Sequence, residues 1–326
     1  KVGPGETFTL SGDVVVGPGE TFEAVGSGES RCRIVGNGHR IVVNNVAAPI
    51  VLRSCDVVGL GTMDRNAAEF RLPGAGSLVI DEVVFSRTGR IYVQQQGNAQ
   101  VTVRRSVFGK DALLDVGARR EAATPAVVFD GLSRGASVFQ GNRVFRSWIE
   151  WAHAWNWTIG GYQADHTNVL IGLRCGLMVN DPRDTKVVGN YVHTSWDPGN
   201  SSQVSVMEVG GSGPSNVLIE HNVLRHGEWV IRGLIGELRY NLLLDVDDHN
   251  YIIGPREGAL IHHNVFVRHV INQTSRGNKN SSIGLVYPAR GIQIWNNTFD
   301  GGGDVVNFEV PVVSVNSQAF LDSFRS

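Results

Sequence analysis

Lysine is nearly missing from this 326-residue chain: Lys1, Lys110, Lys186 and Lys279 are all of it. The other positive charges are arginines, whose planar fork grips a carboxylate with two parallel bonds. Charged residues make up 18% of the chain and the net charge is −2, which leaves a nucleic-acid partner without electrostatic support. Cysteine is limited to Cys32, Cys55 and Cys175, with no zinc-ligand spacing. No apolar run approaches the roughly 20 residues of a membrane span. There is no initiator Met and no signal peptide, so the chain reads as a processed or trimmed product, of a secreted or periplasmic protein. Glycine, by contrast, is plentiful at 40 residues, which suits many tight turns and few long exposed helices.

The turns punctuate a repeat. Asn216-Val-Leu-Ile-Glu-His-Asn222-Val-Leu, Gly258-Ala-Leu-Ile-His-His-Asn264-Val-Phe and Gly291-Ile-Gln-Ile-Trp-Asn-Asn297-Thr-Phe are near copies. Gly236-Glu-Leu-Arg-Tyr-Asn241-Leu-Leu is a weaker one, and Thr185-Lys-Val-Val-Gly-Asn190-Tyr-Val and Ser137-Val-Phe-Gln-Gly-Asn142-Arg-Val fit the same template upstream. From Asn190 onward the marker residues are 32, 19, 23 and 33 apart. A repeat of this size means a solenoid, a propeller or an array. Within each copy the apolar residues alternate with a period of two, so the units are short strands. Such a unit buries its apolar face only by stacking on the turn of chain before it. The Asn is then expected at the sharp corner between two strands, where it tolerates a left-handed backbone and its amide can bond to the next Asn along the stack.

These Asn-marked rungs resemble the right-handed parallel β-helix proteins, the pectate-lyase-like superfamily. The resemblance covers roughly residues 75–300 and implies an all-β, right-handed parallel β-helix solenoid with Asn-marked corners. It is specific for architecture and not for chemistry, because the scaffold carries many activities. The polygalacturonase-type Asn-Thr-Asp, Asp-Asp, Gly-His-Gly and Arg-Ile-Lys set is absent, with Asp247-Asp248 as its nearest trace, and so is the Asp-Pro-His-Asp signature of mannuronan epimerases, approached only by Asp248-His249.

One domain over residues 1–326 is expected, since a solenoid core grows along one axis. Residues 1–45 read as capping coils: Val-Gly-Pro-Gly-Glu-Thr-Phe at 2–8 recurs at 16–22, where the open end of the stack needs covering. Residues 321–326 read like the run before a corner Asn, as though cut in mid-rung. Cys32 and Cys55 are 23 apart, about one rung, so they could stack and even bridge, or simply be small buried thiols. The pattern breaks at 111–134 and again at 147–167, where Trp148, Trp151, Trp155 and Trp157 cluster. Sugar rings stack on aromatic faces, so this cluster reads either as a glycan platform or as packing under a loop.

Counting back from each corner Asn locates the strand expected to line a groove. The count places Asn180, Glu208, Arg232, Gly254 and Tyr287 roughly above one another, about 4.8 Å per rung. Glu208 relies on a bulge at 210–214. The loops before this strand carry His193, Trp196 and Asp197, then His226 and Trp229, then His249 and Tyr251; Arg256 follows the strand. Histidine is the side chain best placed for proton transfer near neutral pH.

Three functions are compatible with these residues. A polysaccharide lyase acting by β-elimination on a uronic acid would use Arg232 and Arg256 on the carboxylate, His226 or His249 as base, and Tyr287 or Tyr251 as acid. Glu208 completes the candidate catalytic set, and Asn180, His193, Trp196, Asp197 and Trp229 the substrate-binding one. A glycoside hydrolase would pair Glu208 with Asp197, Glu228 or Asp181. A non-catalytic binding or structural solenoid is the third, disfavoured by irregular loops rich in Trp, His, Asn and Ser. No cofactor is implied with certainty; calcium at Asp245, Asp247 and Asp248 is the one candidate metal site.

Overall fold

The computed structural model describes residues 1–44, 48–62, 66–110, 125–172, 175–194, 205–210, 216–227, 229–234, 236–246, 251–267, 281–285, 290–300 and 304–308. Among them the strands form three sheets of 12, 12 and 11 strands, each pairing every third strand of the chain in parallel. The chain therefore winds through three faces in turn, in the architecture of a right-handed parallel β-helix, the hand that parallel crossovers adopt almost without exception. We call the faces front (Val14–Val16 to Asp304–Phe308), side (Glu23–Val25 to Gln293–Trp295) and back (Thr7–Thr9 to Thr298–Asp300).

The first 45 residues already contribute strands to all three sheets. Their repeated Gly-Pro-Gly-Glu is a turn used twice: Gly3 N donates to Glu6 Oε2 and Gly17 N to Glu20 Oε2, both at 2.6 Å.

The corner between side and back sheets holds a ladder of asparagines. The side-chain amide of Asn142 donates to Asn168 Oδ1, and the chain of bonds continues through Asn190, Asn222, Asn241 and Asn264 to Asn297, at 2.8 to 3.2 Å. Each backbone N–H from Asn190 to Asn264 also donates to the next Oδ1. One expectation needs correction. The left-handed backbone belongs to the residue before the Asn, as at Gly141 (φ 66°), Gly189 (φ 63°), His221 (φ 56°), Tyr240 (φ 54°) and His263 (φ 54°). The Asn itself accepts the turn by hydrogen bonding. Asn168 lacks this local signature because a 3₁₀ turn, Ala164–His166, precedes it.

Inward residues of all three faces form one continuous core. Cys32 and Cys55 face each other in register within it, both free and fully buried. Burial first, and then the Cys32 thiol beside it, pushes the Cys55 thiol well above its ordinary range. The tryptophan cluster is mostly core. Trp151 (0% exposed) and Trp157 (2%) pack against Phe129 and Phe139, and Trp148 is buried with Cys175. Trp155 lies under the Arg183 guanidinium, 4.2 Å from the ring centre. A glycan platform at 147–157 is thereby overturned: alternation along Ile149–Trp151 sends Trp151 inward and leaves Glu150 facing out.

Candidate functional site

The front sheet carries an outward column that runs from rung to rung. Tyr92 pairs with Val128, Val128 with Glu150, Glu150 with Met178, Met178 with Glu208, Glu208 with Arg232, and Arg232 with Gly254. From Tyr92 to Glu208 each is flanked in its strand by core residues, such as Ile91 and Val93 around Tyr92, or Met207 and Val209 around Glu208. Period-two alternation therefore sends the column outward. Glu208 is half-buried on this face, and only the backbone of Arg232 is described.

Two positions fall elsewhere. Asn180 pairs with Gly210, two residues beyond the Glu208 position, because Cys175–Asn180 runs past it. Asn180 keeps the outward face and joins the neighbouring column. The ladder position beside Gly254 is taken by Gly284, since Ile253 pairs with Ile283, and Tyr287 lies outside the described residues. His193 is in a back-sheet strand, paired with Ile171 and Arg225, and not in a front-edge loop. His226 belongs to the next back-sheet strand, Val223–Gly227, and Trp229 and Tyr251 open front-sheet strands; the side chains of all three lie outside the description. Trp196, Asp197 and His249 lie outside the described residues, as do Asp247, Asp248 and the Asp245 side chain. Arg256 follows the strand Tyr251–Pro255 and packs over Gly233. Among the described residues no group of three or more metal-ligating side chains forms.

A polar cluster on the front face centres on Asp130, three rungs N-terminal of Glu208. Asp130, the last residue of Val127–Asp130, accepts on both carboxylate oxygens: the Tyr92 hydroxyl donates to Oδ2, and His153 Nδ1 meets Oδ1 at 3.0 Å. Burial would raise the Asp130 carboxyl. The bonds from Tyr92 and His153, with the Gly131 amide, outweigh it and hold the group below its usual range. For Tyr92, burial and then the Asp130 bond push the phenol up to about 12. An ionised Asp130 can only accept, so His153 donates a hydrogen bond from Nδ1–H, and in the neutral tautomer Nε2 is the basic nitrogen.

Glu150 stands one rung on, at the outward position diagonal to Asp130. Its carboxyl is raised, chiefly by burial; Asp130 and Glu208 push it further up, while Arg90 pulls against them. The Arg90 guanidinium donates to the neutral amide of Asn66 at 2.6 Å. Arg71 and Arg40 approach Glu69 at 3.1 and 3.8 Å on the adjoining rungs. The face thus combines an oriented imidazole, a protonated phenol, a carboxyl of raised pKa and a guanidinium.

Tyr92, Asp130, Glu150 and His153 escape a count that starts at Asn190 and works toward the C-terminus. The signal was present in the alternation of Ile91–Gln95 and Ile149–Trp151, each with one polar residue between core positions.

No protein-family model matches the chain, and no curated protein matches it. Among solved structures, the periplasmic alginate epimerase AlgG aligns with 95% of this chain and 80% of its own, at 12% identity and a TM-score of 0.44. A double mutant of the same epimerase aligns with 92% of this chain and 79% of its own, at 11% identity and a TM-score of 0.45.

Proposed function

We propose that the protein is a carbohydrate-active enzyme working outside the cytoplasm, a lyase that cleaves a uronic-acid-containing polysaccharide by β-elimination on the front face. The observation that carries this reading is the shared carboxylate: Asp130 holds His153 by Nδ1 and Tyr92 by its hydroxyl on opposite oxygens. Elimination needs a base for the proton beside the uronate carboxyl, a donor to the leaving oxygen, and something to neutralise the carboxylate. His153 Nε2 is the base, and Asp130 steadies the imidazolium that forms. Tyr92 keeps its proton at neutral pH, with a pKa near 12, and is the donor once its hydroxyl turns from Asp130 Oδ2 to the leaving oxygen. Because both groups flank one carboxylate, they work from the same side of the sugar.

Arg90 and Glu150 meet the uronate carboxylate. An incoming negative charge pushes Glu150 in the direction that Glu208 and Asp130 already push it, favouring the protonated form that donates a hydrogen bond. The gain is largest in the enediolate-like intermediate, where charge gathers on that carboxylate.

A glycoside hydrolase is the second reading, favoured by Glu150 and Glu208 on one column. They are two rungs apart, about 9–10 Å between Cα atoms, a spacing from which the two carboxyls can reach the roughly 6.5–9.5 Å of an inverting pair. One assay separates the two. The protein is incubated with acidic and neutral polysaccharides while absorbance of unsaturated product and new reducing ends are followed together. The lyase reading expects both to rise on a uronate polymer. Reducing ends without absorbance would transfer the assignment to hydrolysis, and silence across the panel would contradict both.

A further inference from the structure

A second polar and aromatic cluster lies on the corner between side and back sheets, on a different face from Tyr92 and His153. His221, Tyr240 and His263 occupy the same corner position on three successive rungs, each with a left-handed backbone (φ 54° to 56°). Upstream rungs fill that position with Ser54, Glu82, Arg105, Gly141 and Gly189, of which only the glycines adopt the conformation without strain. Placing three rings there costs backbone energy that glycine would avoid. The rings form a file: His221 stacks on Tyr240 at 5.4 Å and 11°, and Tyr240 meets His263 at 5.1 Å. All three rings are exposed at their edges, with His263 Nδ1 facing His262 Nδ1 at 2.8 Å and its Nε2 3.4 Å from Asn296 Nδ2. Tyr240 is 48% exposed.

Both ends of the file are extended by open rings. Tyr162, 71% exposed, meets His221 edge-on and donates its hydroxyl to the buried Glu220, which Arg239 also holds at 2.7 Å. A tyrosine anchored at its tip and bare along its ring is an aromatic platform, not a core residue. Trp295, 38% exposed, stacks on His262 at 4.1 Å two rungs beyond Tyr240.

We propose that this corner is a second, non-catalytic polysaccharide-binding surface, over which an extended glycan runs parallel to the coil axis. Polar edges recur once per rung, about 4.8 Å, close to the length of one pyranose unit in an extended chain. The Tyr240 hydroxyl and the His221 imidazole meet sugar hydroxyls, while Tyr162 and the outer face of Trp295 receive the apolar sides of sugar rings. The surface would keep the enzyme on its polymer between turnovers at the front face. It rests on the lyase reading only for the choice of probe.

Native gels cast with alginate, polygalacturonate or a soluble β-glucan provide the test. Wild type should be retarded by at least one polymer. Tyr162→Ala/Tyr240→Ala should lose that retardation, with a dissociation constant raised about tenfold or more, while His153→Ala retains it. Tyr162→Ala alone, in a turn outside the strands, guards against a folding defect: it should melt with wild type and still bind more weakly. Catalysis is not read in these gels, so a failure of the lyase assignment leaves the result interpretable. Retardation equal to wild type in both corner variants would overturn the proposal. So would its loss in His153→Ala alone, or no retardation of wild type by any of the three polymers.

Discussion

At the residue scale the informative contrast is between two front-face carboxyls on adjacent rungs. Asp130 is held down by three donors that outweigh its burial, and Glu150 is held up by burial and by neighbouring negative charge. Carboxyls whose surroundings push them in opposite directions are the usual sign of divided roles in proton transfer. The direction at Glu150 has a consequence for stability. Its folded pKa lies above the unfolded value of about 4.5, so its protonated form favours folding. That contribution is fully present below the unfolded pKa and is lost as pH rises through the folded one. Glu150→Gln is therefore expected to melt above wild type at pH 7, with the gap closing near pH 4. Melting curves at the two pH values check this, and a gap that widens on acidification would reverse the assigned sign. These residues were harder to read than the corners. Asp130 and His153 are joined through space across 23 positions, and nothing local in the sequence marks that bond. The Trp-rich stretch drew attention to its indoles, whereas its outward strand residue was Glu150.

At the scale of the element the asparagine ladder decides. It was legible because one requirement recurs at each rung: an amide that both donates and accepts where side sheet turns into back sheet. The corner could be read at Asn142 and from Asn190 to Asn297, but Asn168, behind its 3₁₀ turn, could not. The assignment of the left-handed residue was also displaced by one, since Asn is the residue type expected there and a neighbouring His or Tyr is not. Asn222 shows how much each member carries. Its amide donates to Val187 O, Glu220 O and Asn241 Oδ1, while its oxygen receives two bonds from Asn190. Asn222→Ala leaves several of these buried groups unpaired and is expected to cost about 2–4 kcal/mol, at roughly 1–3 kcal/mol for each unsatisfied group after relaxation. Asn297 is half-exposed at the last described step, so Asn297→Ala should cost about half as much or less, because water replaces its partners. Urea denaturation of both variants checks the ranking; equal midpoints would mean that the ladder does not bear the load argued for it.

At the scale of the whole molecule, stability and function share rungs. In a stack where each turn of chain touches only its neighbours, a defect in one rung is felt locally and along the axis, not across a globular core. The rung at Ile149–Trp151 joins the two roles: Trp151 fills the core against Phe129, Phe139 and Trp157 while Glu150 faces the site. Trp151→Ala is expected to destabilise by about 3–5 kcal/mol and to reduce turnover with it. Trp148→Ala, in a small satellite cluster, should be milder on both counts, as denaturation midpoints and initial rates will show.

The central claim is that the front face performs the chemistry through a histidine oriented by Asp130. Its most direct test is kcat/KM of His153→Ala and Asp130→Asn on the polysaccharide that wild type cleaves, with a melting curve for each. His153 lies outside the core and is expected to melt close to wild type when replaced. Its kcat/KM should fall by about 10² or more, the usual worth of a general base, and Asp130→Asn should fall comparably because the imidazole loses its fixed tautomer. A folded His153→Ala enzyme that turns over within twofold of wild type would contradict the account.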